Sequence, residues 1–482
     1  MKSQRPRLSA LVLSASVLTS LSAHAELRIG TGAAQSLYEQ FCAGCHGKQM
    51  EGGSGGALTD EVWKHGGSDE AITNSIRNGI AGTEMIAWGQ TFSADQIRSL
   101  VILIREQKHL AAKQTSTAKR EGDNVFSAAG YRFRVTPVMA GDAELWGMTF
   151  LPDGSALITQ KNGVLWHWQN GKRSEVKAVP SVHNQGQGGL LDVIAHPDYA
   201  RNGWVYLSYA DKTGRDPYAS TTVLRATLRD GELQDQKIVF SVPTAKRQHS
   251  GHHFGSRFAF VGNDLYFTIG DAGRQDNAQD LSVPAGKVHR IRDDGSIPVD
   301  NPFVSNSSVS KNDAWPSIWT WGNRNPQGLV YDAVGKRLWA AEHGPRGGDE
   351  INLIEKGKNY GWPVITYGMN YNGTPISDKT HQDGMEQPKH YWTPSIAVSN
   401  IDIYRGKPFA NWDGKLLAAS LSAQELRLLT LDGDKVIKDE LLLKNIGRLR
   451  DVQTSPDGAI YLLVSDEAEQ SYQLRKLERV EA

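Results

Sequence analysis

Pro152-Asp153-Gly154-Ser155-Ala156-Leu157-Ile158 and Pro456-Asp457-Gly458-Ala459-Ile460-Tyr461-Leu462 read alike, as a tight turn that feeds an apolar strand. The glycine supplies the positive φ that the turn needs, and the strand that follows suits an inner place in a small sheet. Working outward, the pattern returns at Pro197-Asp198 to Gly203 before Trp204-Val205-Tyr206-Leu207 and at Gly262-Asn263-Asp264 before Leu265-Tyr266-Phe267. It returns again at Asp332 to Gly335 before Leu338-Trp339-Ala340, and at Trp412-Asp413-Gly414 before Leu416-Leu417-Ala418. Six recurrences make a unit of about 55–60 residues, the size of a long propeller blade. The pattern predicts an all-β six-bladed propeller over residues 131–480, with long loops accounting for the uneven spacing. A pair of β-sandwiches with regular turns is the competing arrangement.

At 482 residues the chain has room for a second unit beside such a propeller. Its formal net charge is zero, which gives no electrostatic reason to bind nucleic acid or an anionic membrane. The start reads as a targeting segment. Lys2, Arg5 and Arg7 precede an apolar stretch from Leu11 to Leu21, and Ala23-His24-Ala25 has the form of a cleavage site. Residues 1–25 are therefore predicted to be a signal peptide, which places the mature chain in the periplasm or outside the cell. The stretch is shorter than the roughly 20 residues a membrane span needs, and no later segment qualifies, so no transmembrane segment is expected after its removal.

The only two cysteines lie in Cys42-Ala43-Gly44-Cys45-His46, the spacing of covalent haem attachment. Two thiols add to the haem vinyl groups and the adjacent imidazole reaches the iron. Ala33, Leu37 and Phe41 recur at helical spacing before the motif, and Ser93-x-x-Gln96 is a capping box for a helix with an Ile97, Leu100, Val101, Ile104 stripe. Residues 30–110 thus predict a small all-α domain, which resembles the c-type cytochromes over its whole length. That resemblance implies Met85 as the second axial ligand; Met50 and His65 are the other candidates. Residues 111–130, lacking a hydrophobic period over Lys113 to Asp123, are expected to be a linker.

Several propeller segments look too specific for scaffold: Gly186 to Leu191, His249 to Arg257, Thr268 to Asp271, Gly322 to Gly328, Glu342 to Glu350 and Arg448 to Asp451. In a propeller such loops converge at one end of the axis. Clustered arginines suit a planar polyanion, carbonyl and carboxylate oxygens suit a hard cation such as Ca²⁺, and His with Asp suits proton transfer. A carboxylated redox cofactor with calcium would meet all three demands.

Taken together, Gln187-Gly188-Gly189-Leu190-Leu191, Asn323 to Gly328, Gly344-Pro345, Asn359 to Pro363 and Arg448-x-Arg450-Asp451-Val452 resemble the soluble pyrroloquinoline quinone (PQQ)-dependent aldose (glucose) dehydrogenases, over roughly residues 130–478. The resemblance implies His253 as catalytic base and Asp271 as the acid supporting it. It implies Arg324 and Asn325 beside the reactive carbonyl of the quinone, with Gln187, Arg448 and Arg450 as further cofactor contacts. Gly344 and Pro345 would ligate Ca²⁺ through backbone carbonyls, and Trp392 would line the cofactor and sugar site. One departure stands out. The family's quinone-contacting lysine follows a segment that here reads Leu417 to Ser422, and this loop offers no lysine. His343 reads as scaffold, Asn359 to Pro363 as a structural turn, and Asp349 and Glu350 either as Ca²⁺ ligands or as turn caps.

The expected function is oxidation of the C1 hydroxyl of an aldose with PQQ and Ca²⁺, the electrons passing to the covalently bound haem c. An external acceptor would then take them, a soluble cytochrome, a quinone or a terminal oxidase. The rival readings are a Ca²⁺-dependent hydrolase of the lactonase kind and a non-catalytic binding propeller attached to an electron carrier.

Overall fold

In this computed structural model residues 32–115, 124–211, 219–244, 251–304, 314–466 and 469–480 are described. The expected signal peptide and His249 lie outside them. Four helices form the N-terminal unit: α1 (Ala33–Phe41), α2 (Ala43–His46), α3 (Asp69–Asn78) and α4 (Ala94–Thr115). Ser68 caps α3 by accepting from Ala71 N, and the capping box of α4 closes in both directions, Ser93 N to Gln96 Oε1 and Gln96 N to Ser93 Oγ. Tyr38, Ile72, Ile76, Ile97, Leu100, Val101 and Ile104 make the core between α1, α3 and α4. No described helix is long and apolar enough to cross a membrane.

The remainder is a six-bladed β-propeller of antiparallel sheets. The blades begin with innermost strands Leu145–Phe150, Leu190–Ala195, Phe258–Val261, Pro326–Asp332, Val398–Ile403 and Arg448–Thr454, which touch their neighbours around the ring. Each of the six turns recognised in the sequence joins a blade's first strand to its second. Gly154 and Gly458 adopt φ of +83° there, as the turns demand. Second strands such as Ala156–Gln160 and Leu416–Ser420 are buried at every position because both faces meet neighbouring blades. The last blade is closed by the N-terminal side of the propeller: strand Tyr131–Gly141 pairs with Ser471–Arg479, and Val125–Ala128 adds a fifth strand.

Two boundaries differ from the sequence expectation. Helix α4 continues through Thr115 and the first propeller strand starts at Val125, so the segment read as a linker over 111–130 is narrower. The reason is local. Val125 and Phe126 are buried and pair with Arg134 and Phe133, which no composition rule for linkers registers.

At the axis, one side chain bolts the ring together. Arg257, almost wholly buried, donates to Asp192 at 3.2 Å, to Asp451 at 3.3 Å and to the Gln327 carbonyl at 2.9 Å. Asp451 in turn accepts from Met148 N at 2.8 Å and from Asn400. Members of all six innermost segments therefore meet in one network.

The helical unit sits against the propeller through α4. Arg98 donates to the carbonyls of Ser377 and Asp378, at 2.8 and 3.0 Å, and Glu106 takes both arms of Arg346, at 2.7 and 2.6 Å. Met369 of the propeller joins the helical core. This explains why α4 is buried at each position from Leu100 to Ile104: one face meets the helical core, the other the propeller.

Candidate active site

First strands start, and second strands end, at one end of the propeller axis. Residues just before a first strand or just after a second strand therefore face the same space. His253, Asp271, Arg324 and Gln187 occupy such positions, and Arg448 opens its own first strand at the same end.

His253 Nδ1 lies 2.6 Å from Asp271 Oδ1, which fixes the imidazole and leaves Nε2 to take up a proton. Its backbone is left-handed, φ +57°, a conformation costly for histidine and held here by the bond from His253 N to Gln187 Oε1 at 2.7 Å. Asp271 is itself held by Gly273 N at 2.8 Å and by the indole Nε1 of Trp362 at 2.9 Å. Burial lowers the pKa of His253, assisted by the positive charge of Arg324 and opposed by Asp271, so the imidazole is neutral at neutral pH.

Arg324 is next in the chain of contacts. Its carbonyl accepts from Asp271 N at 2.7 Å, its amide donates to Glu342 Oε2 at 2.7 Å, and its guanidinium stands 5.4 Å from the centre of the Trp362 ring. Nη1 donates to the carbonyls of His343 and Gly344, at 3.2 and 3.1 Å. Asp349 shapes this loop by accepting from Gly344 N and Ser395 Oγ, at 2.8 and 2.7 Å, and so acts as a turn cap. A Cβ at Gly344 would lie 2.3 Å from the carbonyl oxygens of Gly347 and Gly348, so only glycine permits the loop to curl this tightly. Burial pushes Glu350 up to about 8, with Glu342 and Asp349 adding to the effect.

Across the axis Arg450 donates to Glu144 Oε1 at 2.8 Å and approaches Gln327 Oε1 at 3.5 Å. Asn325 Oδ1 accepts from Gly255 N and Gln327 Nε2. Glu144 is held below the usual carboxylate range: Arg450, Lys161 and Arg448 together outweigh its burial.

The structure thus gathers His253, Asp271, Gln187, Arg324, Asn325, Gly344 and Arg450 into one run of contacts, with Pro345 on the same loop and Arg448 on the same strand as Arg450. Trp392 meets the Gly344 loop through its backbone, its carbonyl accepting from Gly348 N at 2.9 Å. Trp392 lies on the outermost strand of its blade, its indole donates to Asp439 at 2.9 Å, and its ring packs on His390. It lines instead a cleft of about 470 Å³ between propeller and helical unit, with Tyr391, Arg105 and Lys108. Sequence reading missed Trp362, taken as part of a turn, and also Glu144 and Lys161. The blade register could have found the last two, because Glu144 lies just before a first strand and Lys161 just after a second one.

In the helical unit, Cys42, Cys45 and His46 lie together at the end of α1 and in α2. His46 Nδ1 is 2.8 Å from the Gly56 carbonyl, which leaves Nε2 available for a metal. A side chain at Gly55 would strike the imidazole at 2.9 Å. Leu37, Phe41, Leu58, Trp63, Met85 and Trp88 are half-buried against the same helical core as Cys42, whereas Met50 is sealed in the core and His65 is exposed. The apolar surround and a free imidazole nitrogen suit a covalently held haem, with Met85 the available thioether.

Comparison with known proteins agrees with this layout. Residues 142–474 match the glucose/sorbosone dehydrogenase family, and residues 31–104 match cbb3-type cytochrome c oxidase subunit III. The aldose sugar dehydrogenase YliI of Escherichia coli (strain K12) is 41% identical over 330 residues, 67% of this chain and 87% of that protein. The solved apo-form of the soluble aldose sugar dehydrogenase from Escherichia coli, 38% identical, covers 72% of this chain and 100% of its own with a TM-score of 0.66. The PQQ-bound form of the aldose sugar dehydrogenase from Streptomyces coelicolor is 26% identical, covering 72% of this chain and 98% of its own with a TM-score of 0.58.

Proposed function

Because the chain belongs to the glucose/sorbosone dehydrogenase family and carries a cytochrome c domain, we propose that it is an exported quinohaemoprotein that oxidises the C1 hydroxyl of aldoses. The observation that carries this reading is the 2.6 Å contact between His253 and Asp271, set beside Arg324 at the mouth of the axis. It joins a proton acceptor to a site rich in cations.

The residues fit PQQ and Ca²⁺. Arg448, Arg450 and Lys161 all act on Glu144, which brings three cations to one flank of the mouth and suits an anionic guest. The carbonyl of Gly344 already faces a cation, the Arg324 guanidinium, and its neighbour Pro345 offers a second oxygen for a hard ion. When bound, the quinone with its Ca²⁺ supplies a two-electron acceptor, and haem c supplies a one-electron exit.

The chain's own residues do the rest. His253 Nε2 takes the C1 hydroxyl proton, which its lowered pKa allows at neutral pH. Asp271 stabilises the imidazolium that results and is in turn steadied by Trp362. Arg324 would place its positive charge beside the electron-accepting carbonyl of a bound quinone. Gln187 holds the backbone of His253 and Asn325 holds Gly255, which keeps the base at one position. Helix α4 docks on Arg346, directly after Gly344-Pro345, and so keeps the haem-bearing unit beside the site at high effective concentration. Transfer onward requires an external acceptor, a soluble cytochrome, a quinone or a terminal oxidase.

The test adds PQQ and Ca²⁺ to purified full-length protein, offers a panel of aldoses, and follows haem reduction in the Soret region. Reduction that needs sugar, quinone and Ca²⁺ together supports the reading. Haem that stays oxidised with every sugar removes it.

A further inference from the structure

Behind Asp271 lies a charged side chain that the proton transfer does not touch. Lys287 opens the strand Lys287–Arg292, pairs with Ile269 across the ladder and is fully buried. Its ammonium donates to three backbone carbonyls, Asn277 at 2.8 Å, Ala278 at 3.2 Å and Ala285 at 2.7 Å, one for each N–H that it carries. Two of these carbonyls end the short 3-10 turn Gln275–Ala278, and the third belongs to the far end of the same loop. Asp271 depends on that turn twice. Asn277 Nδ2 donates to the Asp271 carbonyl at 2.9 Å, which fixes its backbone. Gln279, directly after the turn, donates to the Trp362 carbonyl at 2.6 Å and exchanges two hydrogen bonds with Asn359, at 3.1 and 3.0 Å. Trp362 is thereby set to give its indole N–H to Asp271 Oδ2.

We propose that Lys287 is a positioning residue for the His253–Asp271 pair, an internal cation that pins the turn from which both anchors of Asp271 hang. This rests on the reading of His253 as the base, given above. Burying an ammonium costs far more free energy than burying a methionine or leucine of similar bulk, so a residue that only filled space here would be apolar. What the ammonium adds is a grip on three carbonyls at once, which no apolar side chain supplies. Proton transfer needs that accuracy, since a misplacement of about 1 Å can cost about 10²-fold in rate. The backbone of His253 is held separately, by Gln187, so the turn reaches the base through Asp271.

The experiment compares wild type, K287M and N277A as full-length protein with its haem reduced. It is run at about pH 6, where Lys287 keeps its charge although burial lowers its pKa to about 7, with Asp280 and Asp271 opposing. NMR of protein labelled with heavy nitrogen at histidine follows the proton between His253 Nδ1 and Asp271, identified by its absence in H253A. In K287M that proton should exchange with water about tenfold faster, and kcat for aldose oxidation should fall about 10²-fold while KM stays within about threefold. N277A keeps the contacts of Lys287, which uses the Asn277 carbonyl, and cuts only the bond to Asp271. It should speed the same exchange and lower kcat about tenfold, with the wild-type unfolding midpoint. The double variant should lose no more in kcat than K287M alone, because one connection is cut twice. A folded K287M with wild-type proton exchange and kcat overturns the proposal and leaves Lys287 a purely structural residue. Losses that multiply in the double variant overturn it as well. Should K287M not fold, as judged by its unfolding transition, K287Q takes its place with the same expectations. A wild type that oxidises no aldose would remove the reading of His253 as base, and proton exchange in the variants would still decide whether Lys287 holds the pair.

Discussion

Arg324 Nη1 donates to the carbonyl oxygen of Gly344 at 3.1 Å, so a cation of the chain already rests on an oxygen assigned to Ca²⁺. A carbonyl has two lone pairs and can serve both, but the two cations repel each other there. Chelation should abolish turnover and added Ca²⁺ restore it. The R324A variant should lose about 10²–10³-fold in kcat, the scale for removing one preorganised electrostatic contact. It should also reach half-saturation at lower Ca²⁺, because the competing charge is gone. Steady-state kinetics across a Ca²⁺ titration read both effects. Wild-type kcat in R324A would remove Arg324 from the reaction.

The pH dependence follows from His253. Only the neutral imidazole accepts a proton, and burial holds its pKa below the ordinary histidine value of about 6.5. The acid limb of kcat/KM should therefore lie below that value, with a plateau above it. H253A should lose about 10²–10⁴-fold in kcat. In W362F Asp271 loses the indole donor and becomes a stronger partner for the imidazole, so the limb should move to higher pH. A profile unchanged in W362F would break the link between Trp362 and the base.

Haem ligation separates the two buried or half-buried methionines. Met85 is half-buried in the apolar surround of the motif, whereas Met50 is 1% exposed within the core. M85A should open an iron position to added cyanide or imidazole, seen as a shift of the haem spectrum. M50A should leave the spectrum alone and destabilise the unit by about 2–5 kcal/mol, as for a buried methionine truncated to alanine. Exchanged behaviour of the two variants would reassign the ligand.

What the sequence revealed, and what it concealed, divides along physical lines. Turn glycines and the Cys42-Ala43-Gly44-Cys45-His46 run are local: a φ requirement or a bond spacing is legible residue by residue. The six-bladed propeller and the cytochrome domain follow from them. Contacts that exist only once the ring closes are not local. Trp362 meets Asp271 across 91 positions, and Arg450 meets Glu144 across 306, so neither pairing leaves a mark in its own neighbourhood. Trp392 shows the opposite case. It sits in a suggestive run, Tyr391-Trp392-Thr393-Pro394, yet the strand it ends is the outermost of its blade, and its indole is committed to Asp439.

Docking of the two units should depend on the Glu106–Arg346 pair. Both side chains are nearly buried, 5% and 11% exposed, and both arms of the guanidinium are used. E106A leaves a buried guanidinium without its partner and should cost about 3–5 kcal/mol. Denaturant unfolding followed at the haem and at propeller tryptophans should show one shared transition in the wild type and two separated ones in E106A. A single, unshifted transition in the variant would mean that the pair does not couple the units.

The ring itself should depend on Arg257, and the dependence should vary with pH. Asp192 and Asp451 share its guanidinium with almost no access to water. Burial pushes Asp192 up to about 7, and it raises Asp451 as well, with Arg257 opposing both shifts. A carboxyl whose folded pKa is raised favours the fold below its unfolded pKa and loses that contribution as pH climbs through the folded value. For Asp192 that window runs from about 4 to about 7. R257M removes the one charge that lets the pair ionise, so both pKa values should rise further. The variant should then cost about 3–5 kcal/mol near pH 8, where two uncompensated carboxylates are forced to ionise or to take up protons, and clearly less near pH 5, where Asp192 is protonated already. D192N in the R257M background should recover part of the loss at the higher pH, since one buried charge is gone. Urea unfolding of the full-length protein at the two pH values measures all of this. A deficit that is the same at both would mean that Arg257 acts through packing on Trp146, whose ring centre lies 4.3 Å from its guanidinium, and not through charge.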